Sequence, residues 1–156
     1  MSHQQKGYQK AKLITRQYAT TFYAASRFLP REKRLAAYAV YAVCRISDDS
    51  IDLPQNPSLS PIDSIKAMKI RIHTAYTTDP ITDNLLAAFK DTVTHYAIPE
   101  RYFTELLAGM EMDITQNRYS HFDELYTYCY RVAGIVGLIM LKIFGASDPK
   151  AESSAV

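Results

Sequence analysis

Apolar residues along this chain recur at spacings of three and four rather than two, and it contains no Asn-Gly hairpin turn, so the pattern predicts helices throughout. A first helix is expected from about His3 through "TTFYAASRF", with a break near Thr20 and Thr21, ending at Pro30. A second opens at "PREKR", where a proline at the first helical position gives up an N–H that has no partner there anyway, and continues to Asp52. "LPQNPSLSP" is a loop, with three prolines and two serines in nine residues. Ser60 then caps and Pro61 opens a third helix through "IDSIKAMKIRIHTAY". "DPITDNLLAAFKDTVTHYAI" supplies a fourth, "PERYFTELLAGMEMDITQN" a fifth and "SHFDELYTYCYRVAGIVGLIMLKIFG" a sixth, in which Ser120 and Asp123 have capping-box spacing. The tail "ASDPKAESSAV" is expected to fray. The fold class is all-α, in one domain over 1–156.

Composition narrows the class. A chain of 156 residues that is 47% hydrophobic can bury a core, which excludes disorder as its overall state. Its 18 basic residues are spread along the chain and the formal net charge is +2, so nucleic-acid binding has no compositional support. Cys44 and Cys129 each sit in an apolar periodic segment without metal-ligand spacing, which predicts free buried thiols and suits a reducing cytoplasm. The start, "MSHQQKGYQKAK", has no apolar signal-peptide core. The nearest approach to a membrane span, Val132 to Phe144, is too short and contains Lys142. A soluble, cytoplasmic protein is the expectation.

The chemistry concentrates in "CRISDDSID", residues 44–52. On one helix, Tyr41, Arg45, Asp48 and Asp52 fall at i, i+4, i+7 and i+11, within an arc of roughly 60°. Two carboxylates one turn apart repel, and Arg45 offsets only one of them. A divalent cation would neutralise the excess, and oxygen-only donors favour Mg²⁺. The other reading is a helix end whose acids are simply solvated, and spacing alone leaves both open. Asp49 points about 100° away and is expected at the surface or behind the site.

Three stretches, "YATTFY" (18–23), "LPREKRLAAYAVYAVCRISDDSID" (29–52) and "GMEMDITQNRYSHFDELYTYCYRVAGIVG" (109–137), together resemble the squalene and phytoene synthases in motif, order and separation. That resemblance implies an isoprenoid-synthase-type helical bundle that joins two prenyl diphosphates, farnesyl or geranylgeranyl, head to head to give dehydrosqualene, squalene or phytoene. It implies Mg²⁺, with Mn²⁺ as a substitute, bound by two aspartate-rich motifs on facing helices, and NADPH only for a squalene-type activity. By resemblance Asp48 and Asp52 face the metal and serve catalysis, Arg45 contacts diphosphate oxygens, and Tyr41 continues that wall. Thr21 supplies a hydroxyl near diphosphate and Phe22 an aromatic wall. "YATTFY" is similar to the phytoene type, whereas "ISDDSID" leans toward the dehydrosqualene type.

On the sixth helix Tyr130, Gly134 and Gly137 lie at i, i+4 and i+7 with Ala133 beside them, leaving a nearly bare face. Close helix packing is the bland explanation; the resemblance implies a prenyl-tail groove, with Tyr130 placed to stabilise a carbocation. Asp113 and Asn117, one turn apart, fall where the family places polar active-site groups and otherwise belong to a solvated face. The second aspartate-rich motif has no counterpart after Gly145. The resemblance therefore covers the N-terminal half of such an enzyme, truncated after about six helices. That half would leave apolar faces uncovered, from which self-association or a complementing C-terminal half is expected, along with peripheral membrane contact through apolar substrates. A non-catalytic helical assembly module and half of a split enzyme stay open beside it.

Overall fold

The computed structural model describes residues 1–52, 60–116, 118–145 and 149–154, with backbone alone at 50–52, 149, 152 and 153. Helix α1 (His3–Tyr18) starts where the Ser2 hydroxyl accepts from the Gln5 N–H while the Gln5 side chain accepts from the Ser2 N–H, a reciprocal cap that satisfies two orphan donors. The helix breaks at Ala19, whose φ of −139° and ψ of 64° leave helical space. After it come α2 (Thr20–Ala25), a 3₁₀ turn (Ser26–Phe28) and the long α3 (Arg31–Asp52). The chain continues through α4 (Pro61–Thr77), α5 (Asn84–His95), α6 (Glu100–Thr115), α7 (Phe122–Cys129), a π-helical turn (Tyr130–Gly134), α8 (Ile135–Phe144) and α9 (Pro149–Ser154). Among the described residues every regular element is helical, as the sequence pattern predicts.

Local signals decide most boundaries. Ser60 caps α4 ahead of Pro61 as expected, its hydroxyl accepting from the Asp63 N–H. The fourth helix begins later than its apolar pattern suggests, because the Asp83 carboxylate accepts from the Leu86 N–H and fixes the start at Asn84. The expected capping box at Ser120 does not form. His121 is the N-cap of α7, without a side-chain cap bond, and the Ser120 N–H donates to Glu124 at 2.9 Å. The tail, expected to fray, contains α9.

The middle of α3 is the centre of the core: Ala36, Ala37, Tyr38, Ala39, Val40, Ala42 and Val43 are all buried. Helix α1 lies against α3 and α5, α4 spans α3, α5 and α6, and α8 reaches both α3 and α6. Phe89 sits edge-on to Phe103 with ring centroids 4.8 Å apart, and to Tyr76 at 6.4 Å. Burying each such side chain contributes roughly 1.5–3 kcal/mol. Close approach needs glycine in two places. A Cβ at Gly7 would lie 1.8 Å from the Asn84 carbonyl oxygen, and one at Gly109 would lie 2.8 Å from Arg131 Cβ and Val132 Cγ1. At the far end of the fold, Lys33 Nζ donates to the Phe144 carbonyl, tying the last turn of α8 to the start of α3.

The last long helix corrects two expectations. Phe122–Phe144 runs as 23 helical residues with a mean hydropathy of 1.4 in its most apolar stretch, so by length and composition it is long and apolar enough to cross a membrane. Only 22% of that stretch is buried. Cys129, expected inside, is exposed, while Cys44 is partly covered. The reason is that Phe122, Leu125, Tyr126 and Cys129, an apolar stripe at i, i+3, i+4 and i+7, are all exposed.

Candidate functional site

Arg45 organises the first cluster. Its guanidinium meets Asp49 Oδ1 at 2.6 Å, one helical turn on, and stands 4.8 Å over the ring of Tyr18 at the end of α1. Phe22, on α2, packs on Tyr41, one turn before Arg45, with centroids 5.8 Å apart. The break at Ala19 thus leaves Tyr18 at the end of α1 and Phe22 in the first turn of α2, both against α3. Arg45 Nε is buried and has no hydrogen-bond partner among the described residues. Burial pulls the Arg45 pKa down, but the Asp49 hydrogen bond and charge, with Tyr41 and Asp48, outweigh it and hold it above its ordinary value.

Asp48 is exposed at the same end of α3. Its charge is felt by its neighbours: burial first, then Asp48, pushes the Cys44 thiol up to about 12. The Tyr41 phenol is likewise raised, by burial and by Asp49 and Asp48 against the opposing pull of Arg45. Ser47 is buried and returns its hydroxyl to the Val43 carbonyl at 2.8 Å, so the acids follow a helix that is still intact. Asp49, expected at the surface or behind the site, is about one-third exposed and is the partner of Arg45. Its i+4 spacing to Arg45 is the sequence signal for that pairing. Thr21 is exposed on α2. The side chain of Asp52, and Asn117 altogether, lie outside the described residues.

A second cluster joins α6 to α7. Asp113 is exposed but not merely solvated, because Tyr128 hydrogen-bonds to it; that bond, ahead of burial and the Asp113 charge, pushes the Tyr128 phenol up to about 12. The Tyr119 ring lies 5.4 Å from that of Tyr128. Neither tyrosine was singled out in the sequence, where the alternation of Tyr126, Tyr128 and Tyr130 offered only a weak sign. Arg131 is held by Glu105 at 2.9 Å and by the Met112 sulfur at 3.4 Å.

The small-residue face is built differently from the expected i, i+4, i+7 stripe. Tyr130 to Gly134 form a wide turn, in which the backbone bonds reach i+5. Tyr130 is half-buried against the core, Ala133 is exposed, Gly134 is buried and Gly137 half-buried. The close approach to this turn comes from Gly109 on α6, against Arg131 and Val132.

Among the described residues no three His, Cys, Asp or Glu side chains converge as a metal site. What α3 offers is the carboxylate oxygens of Asp48 and Asp49 beside the partly exposed Arg45 guanidinium. That donor set fits a hard divalent ion that takes one or two protein carboxylates and completes its shell with phosphate oxygens and water.

The sequence profile of the squalene/phytoene synthases matches residues 15–156. The chain is 37% identical over 148 residues to the 15-cis-phytoene synthase of Synechococcus elongatus, covering 95% of this chain and 47% of that protein. It is 36% identical over 142 residues to the phytoene synthase of Arthrospira platensis, covering 91% and 45%. Phytoene synthase 1, chloroplastic, of Arabidopsis thaliana is 34% identical over 149 residues, covering 96% and 35%. Among solved structures, a dehydrosqualene synthase in complex with ligand superposes with a TM-score of 0.78 at 27% identity, covering 89% of this chain and 47% of that one. Squalene synthase HpnC from Alicyclobacillus acidocaldarius superposes with a TM-score of 0.84 at 25% identity, covering 96% and 56%. The chain spans about half, or less, of the length of the curated relatives named here.

Proposed function

This chain belongs to the squalene/phytoene synthase family, and from that membership we propose that it supplies the first aspartate-rich wall of a head-to-head prenyl transfer site of the phytoene type, acting on geranylgeranyl diphosphate. The observation that carries the reading is Arg45: a charged guanidinium with one buried, unpartnered N–H, set between Tyr18, Tyr41 and Asp49 and next to the exposed Asp48. A diphosphate oxygen would satisfy that N–H. The choice of phytoene over its shorter analogues rests on relatives that are phytoene synthases and on the "YATTFY" motif.

In this reading Asp48 and Asp52 hold Mg²⁺, with Mn²⁺ as a substitute, and the ion supplies charge neutralisation for the departing diphosphate. When the allylic C–O bond breaks, the electron pair leaves with the diphosphate, and Arg45 donates to it where the charge grows. Phe22 and Tyr41 wall that region against water. Thr21, Asp113 and Asn117 are the polar groups that the family resemblance assigns to substrate contact. Tyr130 presents an aromatic face to the cationic carbon skeleton, and Ala133, Gly134 and Gly137 leave room for a prenyl tail. NADPH has no place in a phytoene-type reaction.

The test is incubation of the purified chain with geranylgeranyl diphosphate and Mg²⁺, followed by chromatography of the extracted hydrocarbons. A parallel arm adds the segment of the Synechococcus elongatus enzyme that this chain does not match. Phytoene in either arm, reduced roughly 10²-fold or more by Asp48→Asn, is the expected result. Absence of hydrocarbon from both arms, or product from farnesyl diphosphate only, would sink the reading.

A further inference from the structure

A groove of about 880 Å³ lies between α1, the 3₁₀ turn and the first turns of α3. Five cations line it, Lys12, Arg16, Arg27, Arg31 and Arg34, and no acidic residue does. Among the described residues none of the five has a carboxylate within 4.0 Å, although Arg45, Arg71 and Arg131 elsewhere in the fold each do. Arg34 gives one N–H to the Arg27 carbonyl, which pulls the start of α3 onto the preceding turn. With a formal net charge of only +2, the chain gathers five positive charges here and leaves the remainder net negative.

Like charges crowded in one concavity raise the local potential and repel each other, a cost that an anion would remove. The floor is built rather than adaptable. Tyr38 is buried, its hydroxyl meets Ser26 Oγ at 2.7 Å, and its ring stacks on Tyr23 with centroids 5.4 Å apart. Lys12 and Arg16 project from one wall, one helical turn apart, and Arg27, Arg31 and Arg34 from the other. Four arginine forks among five cations suit the tetrahedral, multiply charged oxygens of phosphate better than a single carboxylate. The groove also has the volume of a small-ligand site.

We propose that this groove is a binding site for a phosphate-bearing ligand carrying at least two negative charges, separate from the Arg45 cluster and from any metal. Two sources share that chemistry, a free diphosphate and an anionic phospholipid headgroup. Binding in the groove needs no divalent cation, because its charge complement is entirely protein.

The experiment uses the whole chain in EDTA, which removes metal-assisted binding at Asp48. Inorganic diphosphate is titrated by calorimetry, and vesicles of phosphatidylglycerol in phosphatidylcholine are co-sedimented. Binding in at least one arm is expected, weakened at least about tenfold in Arg16→Gln/Arg31→Gln, whose circular-dichroism melting matches the wild type. Arg101→Gln/Arg118→Gln removes the same charge from exposed sites elsewhere and is expected to bind as the wild type does. Diphosphate binding alone assigns a soluble ligand, and vesicle binding alone a headgroup. Failure in both arms overturns the site, as does equal loss in the two double variants. Loss in Arg45→Gln with none in Arg16→Gln/Arg31→Gln would return the anion to the α3 cluster.

Discussion

Tyr128 shows how a single contact can convert a surface aspartate into a positioned one. Its phenol stands at about 12 rather than the ordinary 10.0, chiefly because the neutral O–H donates to Asp113, with burial and the carboxylate charge adding to the effect. The folded state therefore holds the protonated phenol more tightly than the unfolded chain does. That contribution is complete below about pH 10 and is lost as the pH climbs toward about 12. In ¹³Cζ-labelled tyrosine NMR spectra, assigned with Tyr128→Phe, Asp113→Asn is expected to bring this titration back toward 10. It should also flatten the corresponding alkaline loss of stability. A Tyr128 resonance that titrates identically in both proteins would dissociate the pair. Arg45 differs at the same scale: its ion pair with Asp49 is about one-third exposed on both sides, so it contributes little to stability and instead fixes where a cation points.

At the scale of elements, what local chemistry controls was legible in the sequence. Ser60 before Pro61, the stop at Pro30 and the helical period of α3 all predicted structure that forms. What depends on distant partners was not. The chain gives no local sign that Phe122, Leu125, Tyr126 and Cys129 lack a partner, so the apolar periodicity around Cys129 predicts a buried thiol where the structure has an exposed one. The pairing of Arg45 with Asp49 competed with an equally regular spacing to Asp48. The wide turn at Tyr130–Gly134 has no composition of its own, and it lies where Gly109 of α6 packs tightly against it. Gly109→Ala tests that pressure. Its Cβ would meet Arg131 Cβ and Val132 Cγ1 at 2.8 Å, both close to the backbone and unable to swing away. A loss of about 1–3 kcal/mol in urea unfolding is expected. A loss below about 0.5 kcal/mol would mean that α6 and the turn part freely.

For the whole molecule, two surfaces define the outside. One is the basic groove, assembled from cations that lie up to 22 positions apart in the chain, from Lys12 to Arg34, and so invisible to a search for charge runs. The other is the stripe on α7, where Phe122 is 76% exposed and Tyr126 55%. An apolar face of that kind favours association in water. Sedimentation equilibrium is expected to show reversible self-association of the chain that Leu125→Glu/Tyr126→Glu abolishes; a wild-type monomer across the accessible concentration range would refute it. The bond from Lys33 to the Phe144 carbonyl bears on timing as well. Its two ends are 111 residues apart. During synthesis at about 5–20 residues per second, the start of α3 emerges several seconds before the helix end that docks on it. Until then the first turns of α3 have only the earlier helices for cover. The nascent chain is most open to a chaperone, or to another copy of itself, in that interval.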